Sequence, residues 1–128
     1  MVEAARQAAL EMVRRKKEDR HVAELVGEME NLVVTAQITH ASMVELAATS
    51  KPGPETSAAA LCRRTIFVNA ALRAVEKAME AAGGAAFYRS APLERLFRDI
   101  QGARYHPLQE KPQTRYTGRV LLGLDIDG

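Results

Sequence analysis

Two long apolar periods separated by a hard break constrain this chain more than any other feature. Over residues 19–49, Val22, Leu25, Met29, Leu32, Ala36 and Met43 fall on the a and d positions of a heptad, with Val26 and Val33 alongside. Thr39 interrupts the d series and Leu46 resumes it. Over residues 54–82, Leu61, Thr65, Val68, Leu72, Val75, Met79 and Ala82 alternate steps of four and three. Such spacing keeps one face of a helix apolar. Between the two lies Ser50-Lys51-Pro52-Gly53-Pro54, which no helix traverses. Two rods of roughly 45 Å, at 1.5 Å per residue, joined by a short break must fold back on each other.

Caps agree with these limits. Asp19 suits the N-cap of the first long helix. Pro54 suits the first turn of the second, where its missing N–H removes no bond. Gly83-Gly84 is a stop signal. Upstream, residues 2–17 read as a helix with Ala5, Ala8, Ala9, Met12 and Val13 on one face, ending in the cations Arg14-Arg15-Lys16-Lys17. Downstream, Pro92 opens a shorter helix to about residue 103, with Leu93, Leu96, Phe97 and Ile100 inward. Residues 105–116 hold two prolines and no period, so they read as a loop, followed by at most a short turn at 120–122 and an irregular tail. The expected fold is all-α: an up-and-down four-helix bundle of three long helices and one shorter, forming a single domain over residues 1–128.

Composition narrows the function classes. The 18 basic and 16 acidic residues leave a net charge of +2, which argues against nucleic acid as the main partner. No apolar run is long enough to span a membrane. Residues 1–10 carry Glu3 and Arg6 and do not resemble a secretory signal, so the cytoplasm is the expected compartment. One cysteine, Cys62, excludes an internal disulfide, and beside Arg63 and Arg64 it reads as an unreactive thiol next to a solvated face. Five of the six aromatics and six of the eight glycines lie in the last third, which is therefore the place to look for a site.

His21 reads as exposed in a first helical turn, and His40 as a helix-contact residue on the flank of the seam. No His-x-x-x-His or Glu-x-x-His accompanies them, and Glu28, Glu30 and Glu45 do not make the carboxylate pattern of a di-iron bundle, so no metal site is expected. Glu94 and Arg98 are four apart in the favourable order for an ion pair.

The stretch Gly83-Gly84, then Pro92-Leu93-Glu94-Arg95-Leu96-Phe97-Arg98-Asp99-Ile100, then a loop and a hydrophobic end, resembles the C-terminal helical domain of the acyl-CoA dehydrogenase family. The long helices before it fit the same layout. The resemblance implies a flavoenzyme in which FAD lies between a middle β-barrel and a C-terminal four-helix bundle, usually as dimers or tetramers. Nothing strand-rich is visible here, so this chain is expected to be the bundle alone, as a fragment or a split-gene product. A separate chain would then carry the N-terminal helices and barrel. FAD would bind the complete enzyme and not this chain alone.

Family members meet the adenosine-pyrophosphate part of a neighbouring subunit's FAD through Gln-x-x-Gly-Gly. The matching residues here are Glu80, Gly83 and Gly84. Glutamate stands where glutamine is usual, and a carboxylate near pyrophosphate is repulsive unless screened or protonated. The family's catalytic glutamate sits in a Tyr-Glu-Gly-Thr loop after the Arg-Asp helix. Laid without gaps, that loop falls on His106-Pro107-Leu108-Gln109; laid on the nearest glycine, it falls on Tyr116-Thr117-Gly118-Arg119. Neither supplies a glutamate, and Glu110 lacks the surrounding motif. Flavin-dependent monooxygenases of the same fold use a histidine near this loop, which makes His106 the candidate for proton transfer, held extended by Pro107. Three readings follow: an acyl-CoA dehydrogenase domain acting on CH–CH groups of acyl thioesters, a monooxygenase domain of the same fold, and a non-catalytic helical interaction module.

Overall fold

A computed structural model describes residues 1–16, 18–106 and 108–127. It contains five α-helices: α1 (Val2–Val13), α2 (Arg20–Thr49), α3 (Pro54–Ala82), α4 (Pro92–Ile100) and α5 (Glu110–Leu121). Short 3-10 turns follow α1, α3 and α4, at Arg14–Lys16, Gly83–Phe87 and Gln101–Tyr105. Among the described residues there is no strand.

The spine is the α2–α3 hairpin. Lys77 meets Glu28 at 3.0 Å, His40 packs on Phe67 with ring centroids 5.9 Å apart, and the Arg63 Nε donates to Ser42 Oγ at 2.8 Å. Residue numbers fall on α3 as they rise on α2, so the two rods are antiparallel. Asp19 caps α2 as its sequence position implies: its backbone is extended, and Oδ1 accepts from the N–H groups of His21 at 2.8 Å and Val22 at 3.2 Å. Asp19→Ala leaves those first-turn donors to water, and a loss of about 1 kcal/mol of stability is expected in a denaturant titration.

α3 is the central helix. Its last thirteen residues bury Ala70, Ala71, Leu72, Ala74, Val75, Ala78, Met79, Ala81 and Ala82, more than one face's worth. The surplus is explained by neighbours on several sides, because α1, α2 and α4 all pack against this half. Small side chains let these helices approach closely, since interaxial distance follows the side chains at the contact. Ala9, Ala78 and Ala86 are fully covered together with Val75 and Leu93. α1 is tied to α2 by Arg6, whose Nε donates to Glu30 Oε2 at 2.6 Å. That bond to Glu30 holds the Arg6 guanidinium above its ordinary pKa. At the end of α1, Val13 packs with Val22, Leu25 and Ala81 in a second cluster.

α4 runs back along the C-terminal half of α3, and α5 along its N-terminal half. Phe97 faces Met79 and Glu80 while Ile100 reaches Ala71. Glu110 lies at Asn69, and Val120 and Leu124 lie by Pro54 and Glu55. The expected fourth helix is α4, and the other half of α3 is covered by α5, a fifth helix that the sequence reading did not expect.

Three expectations are corrected here. α1 is shorter than 2–17: it gives way to a 3-10 turn after Val13, and Lys17 lies outside the described residues. The short helix expected to reach residue 103 stops being α-helical at Ile100 and continues as a 3-10 turn. The segment read as a loop and irregular tail is largely α5. Pro112 does not forbid this, because it stands at the third helical position. The first helical bond runs from the Gln113 N–H to the Gln109 carbonyl at 2.9 Å, so no donor is lost at Pro112. The helix ends at Gly123, whose φ of 70° lies in the left-handed region. Gln113, buried against α3, donates to Thr117 Oγ1 at 2.8 Å and so satisfies its amide within the helix.

Thr39, which breaks the apolar period of α2, is buried without penalty to its hydroxyl, which donates to the Thr35 carbonyl at 2.6 Å. No helix among the described residues is long and apolar enough to cross a membrane.

Candidate functional site

The last third supplies two candidate regions, and they lie at different levels of α3. The first is the end of α3. Gly83 closes it with φ 77°, and its N–H donates to the Met79 carbonyl. Only glycine adopts that backbone without strain. Glu80, Gly83 and Gly84 line one open depression of about 530 Å³, together with Met79, Phe87 and Phe97. The three residues singled out in sequence are therefore neighbours in space.

The charge of Glu80 is not isolated. Its Oε2 accepts from Lys77 Nζ at 3.4 Å, and Lys77 also pairs with Glu28. The hydrogen bond to Glu28, with help from Glu80, holds the Lys77 ammonium above its ordinary pKa. A second cation stands close by: Lys16 Nζ lies 3.4 Å from where a Cβ on Gly83 would sit. The depression itself is lined by the carboxylates of Glu76 and Glu80, with Lys77 paired to Glu80 and Lys16 reaching Gly83. Sequence reading missed Lys16 because it belongs to a cationic run that looks like an ordinary helix end. It missed Lys77 because a lysine on a helix flank carries no signal of its own.

The second region is the junction between α4 and α5. His106 ends the 3-10 turn with φ −70° and ψ 142°, an extended backbone, and its side chain is exposed. Pro107, expected to restrict His106, lies outside the described residues. Glu110, the nearest carboxylate in sequence, occupies the first turn of α5, where the helix N-terminus favours a negative charge. Its Oε1 accepts from Asn69 Nδ2 at 3.3 Å. This bond ties Glu110 to α3, and His106 lies four residues before it. The two regions adjoin: Glu76 and Phe97 line the depression, and Glu76 also pairs with Arg104, two residues before His106, at 3.5 Å.

Arg63 and Arg64 are not on a solvated face, which corrects the sequence expectation. Both are half-buried. Arg63 bonds to Ser42 and to the Ala59 carbonyl, and Arg64 Nη1 donates to the Leu108 carbonyl at 3.3 Å. They turn inward because α2 and the α4–α5 junction present oxygen acceptors beside them. Cys62, just before them, is half-buried and free.

The other histidines take bland positions. His21 is exposed at the start of α2. His40 is exposed at its edge and tilts on Phe67, at the rim of an apolar cavity of about 360 Å³ walled by Val33, Ala71 and Ile100. Among the described residues, no three His, Cys, Asp or Glu side chains cluster as metal ligands would. The expected Glu94–Arg98 pair forms loosely at 3.8 Å, and Arg95 pairs with Asp99 at 3.7 Å.

A protein-family model described as acyl-CoA dehydrogenase, C-terminal domain, matches residues 1–110. No curated protein and no solved structure matches the chain. The match takes in the Gly83–Gly84 depression and His106, and stops where α5 begins.

Proposed function

The chain belongs to the acyl-CoA dehydrogenase family as a C-terminal domain, and on that footing we propose that it forms one wall of the flavin site in an FAD-dependent oxidoreductase acting on CH–CH groups of acyl thioesters. The family is generally FAD-dependent, and its domains generally work as oligomers with other domains.

The Gly83–Gly84 depression fits a pyrophosphate. Glycine lets the backbone approach an anion closely. Lys77 partly offsets the carboxylate of Glu80, and Lys16 brings a cation to Gly83. Glu80, Gly83, Gly84 and Lys16 would hold the adenosine-pyrophosphate portion. Bound FAD supplies a hydride acceptor; this chain's own contribution to the chemistry is the proton. In dehydrogenation a base takes the proton from the carbon next to the thioester carbonyl while the hydride leaves the adjacent carbon. The His106 imidazole takes that proton, because an imidazole changes protonation near neutral pH.

The observation that carries the assignment is the exposed, extended His106 beside a Glu110 already engaged by Asn69. The same observation favours a second reading. A reactive junction with a histidine and no free glutamate suits flavin-dependent oxygen activation, with His106 as the proton donor or acceptor. The partner is a barrel-containing chain or domain, and the assembly a homo-oligomer built through the α3–α4 region, where Phe87 and Tyr88 are exposed.

Co-expression with a barrel-containing partner tests the proposal. The complex is expected to purify yellow with one FAD per barrel, and this chain alone colourless. Reduction of a dye by acyl-CoA substrates without oxygen marks the dehydrogenase; oxygen consumption with a hydroxylated product marks the second reading. Tight stoichiometric FAD binding by this chain alone overturns the view that it is half of a site.

A further inference from the structure

Apolar burial does not fix the segment that carries His106. Tyr105, His106 and Gln109 are exposed, and Leu108 is only half-buried. A segment with so little core is normally among the first to open. Yet it is anchored on both sides, and every anchor outside the segment is a polar side chain of α3. Before His106, Arg104 Nη2 pairs with Glu76 at 3.5 Å, while its Nε donates to Gln101 Oε1 at 2.9 Å. After His106, Arg64 donates to the Leu108 carbonyl and Asn69 to the Glu110 carboxylate, each at 3.3 Å.

We propose that Arg64 and Asn69 are positioning residues that clamp the α4–α5 junction onto α3 and so hold His106 in one orientation. The inference rests on the reading of His106 as the proton-transfer group, and its geometry stands apart from that reading. The two bonds do different work. Arg64 satisfies a carbonyl just before α5, where no helical donor is available. Its planar guanidinium is half-buried, bonded from a fixed fork and therefore directional. Asn69 holds the Glu110 side chain in the first turn and so fixes where α5 begins. Arg104–Glu76 is an exposed pair and contributes less.

Leu72 and Val68 line the same small cleft between α3 and the junction, about 90 Å³ in volume. The polar bonds act beside this short apolar floor. A one-ångström displacement of a catalytic group lowers a rate by orders of magnitude. An anchor two residues away is therefore expected to act on turnover without touching substrate.

The test uses Arg64→Ala, Arg64→Lys and Asn69→Ala in the full chain. Amide hydrogen exchange over residues 113–117, the first amides of α5 bonded within the helix, is expected to quicken about tenfold in Arg64→Ala and in Asn69→Ala, the effect of losing roughly one net hydrogen bond. Exchange in the middle of α2 should stay as it is, and so should the far-ultraviolet circular dichroism. Arg64→Lys, which keeps a donor, should recover part of the protection. In the enzyme reconstituted with its barrel partner, kcat should fall with KM unchanged. Unaltered exchange over 113–117 in both alanine variants overturns the clamp. Quickened exchange with unaltered kcat upholds the clamp and overturns the catalytic reading of His106 instead. Asn69→Ala guards against misfolding of the arginine variants, because its bond is exposed.

Discussion

His106→Ala lowers turnover of the reconstituted enzyme by roughly a hundredfold, the usual loss on removing a general acid or base. Thermal stability stays within about 0.5 kcal/mol of the parent, as for other exposed positions that make no special contact. The two effects separate because His106 is exposed and its segment is held by bonds from Leu108 and Glu110, not by the imidazole. Stopped-flow turnover beside a thermal melt checks both. Intact turnover with a lowered melting temperature makes the histidine structural and moves the base outside this junction. The pH dependence of turnover gives a second reading. A rate that follows one ionisation near neutrality in the parent, and loses it in His106→Ala, assigns the proton to the imidazole.

Leu93→Ala has the largest expected effect on folding, a loss of about 2–5 kcal/mol. Leu93 is fully covered and belongs to the core cluster with Val75, Met79 and Ala86. It is the main apolar anchor of α4, a nine-residue helix too short to persist without packing. Half of the buried residues of this cluster are alanines, whose methyl groups have no rotamers with which to fill the vacated space. A urea titration is the measurement, with a lowered midpoint and an unchanged slope expected. Leu121→Ala is the control. That side chain is 81% exposed, and its loss is expected to fall within about 0.5 kcal/mol of zero. Equal losses at the two positions would mean that α4 is not held through Leu93.

Helices α2 and α3 were legible because their information is local. The period of Val22, Leu25 and Met29, the Asp19 cap, and the break at Pro52-Gly53-Pro54 act over one or two turns and need no partner. α5 was not legible, because two prolines in 105–116 read as breakers. Pro112 happens to occupy a first-turn position at which it removes no bond, and that depends on Gln109 being the cap. Glu80, Gly83 and Gly84 were readable as a motif, but the screening of Glu80 was not. Lys77, three residues back on the same helix, pairs with it while also bonding Glu28 of α2, and Lys16 comes to Gly83 from the turn after α1. Likewise, Glu110 stood as a free carboxylate in the one-dimensional pattern, and only the fold sets Asn69 against it.

Residue order alone was enough for an all-helical chain, for the hairpin of two long rods and for the family, since each follows from spacing, caps and motif within short windows. Tertiary packing decided that α3 is central, that α4 covers one half of it and α5, a fifth helix, the other, and that Arg64 turns inward toward Leu108. Those outcomes depend on which faces meet. A helix's own period fixes which side is apolar, but not which neighbour covers it or what acceptor that neighbour brings.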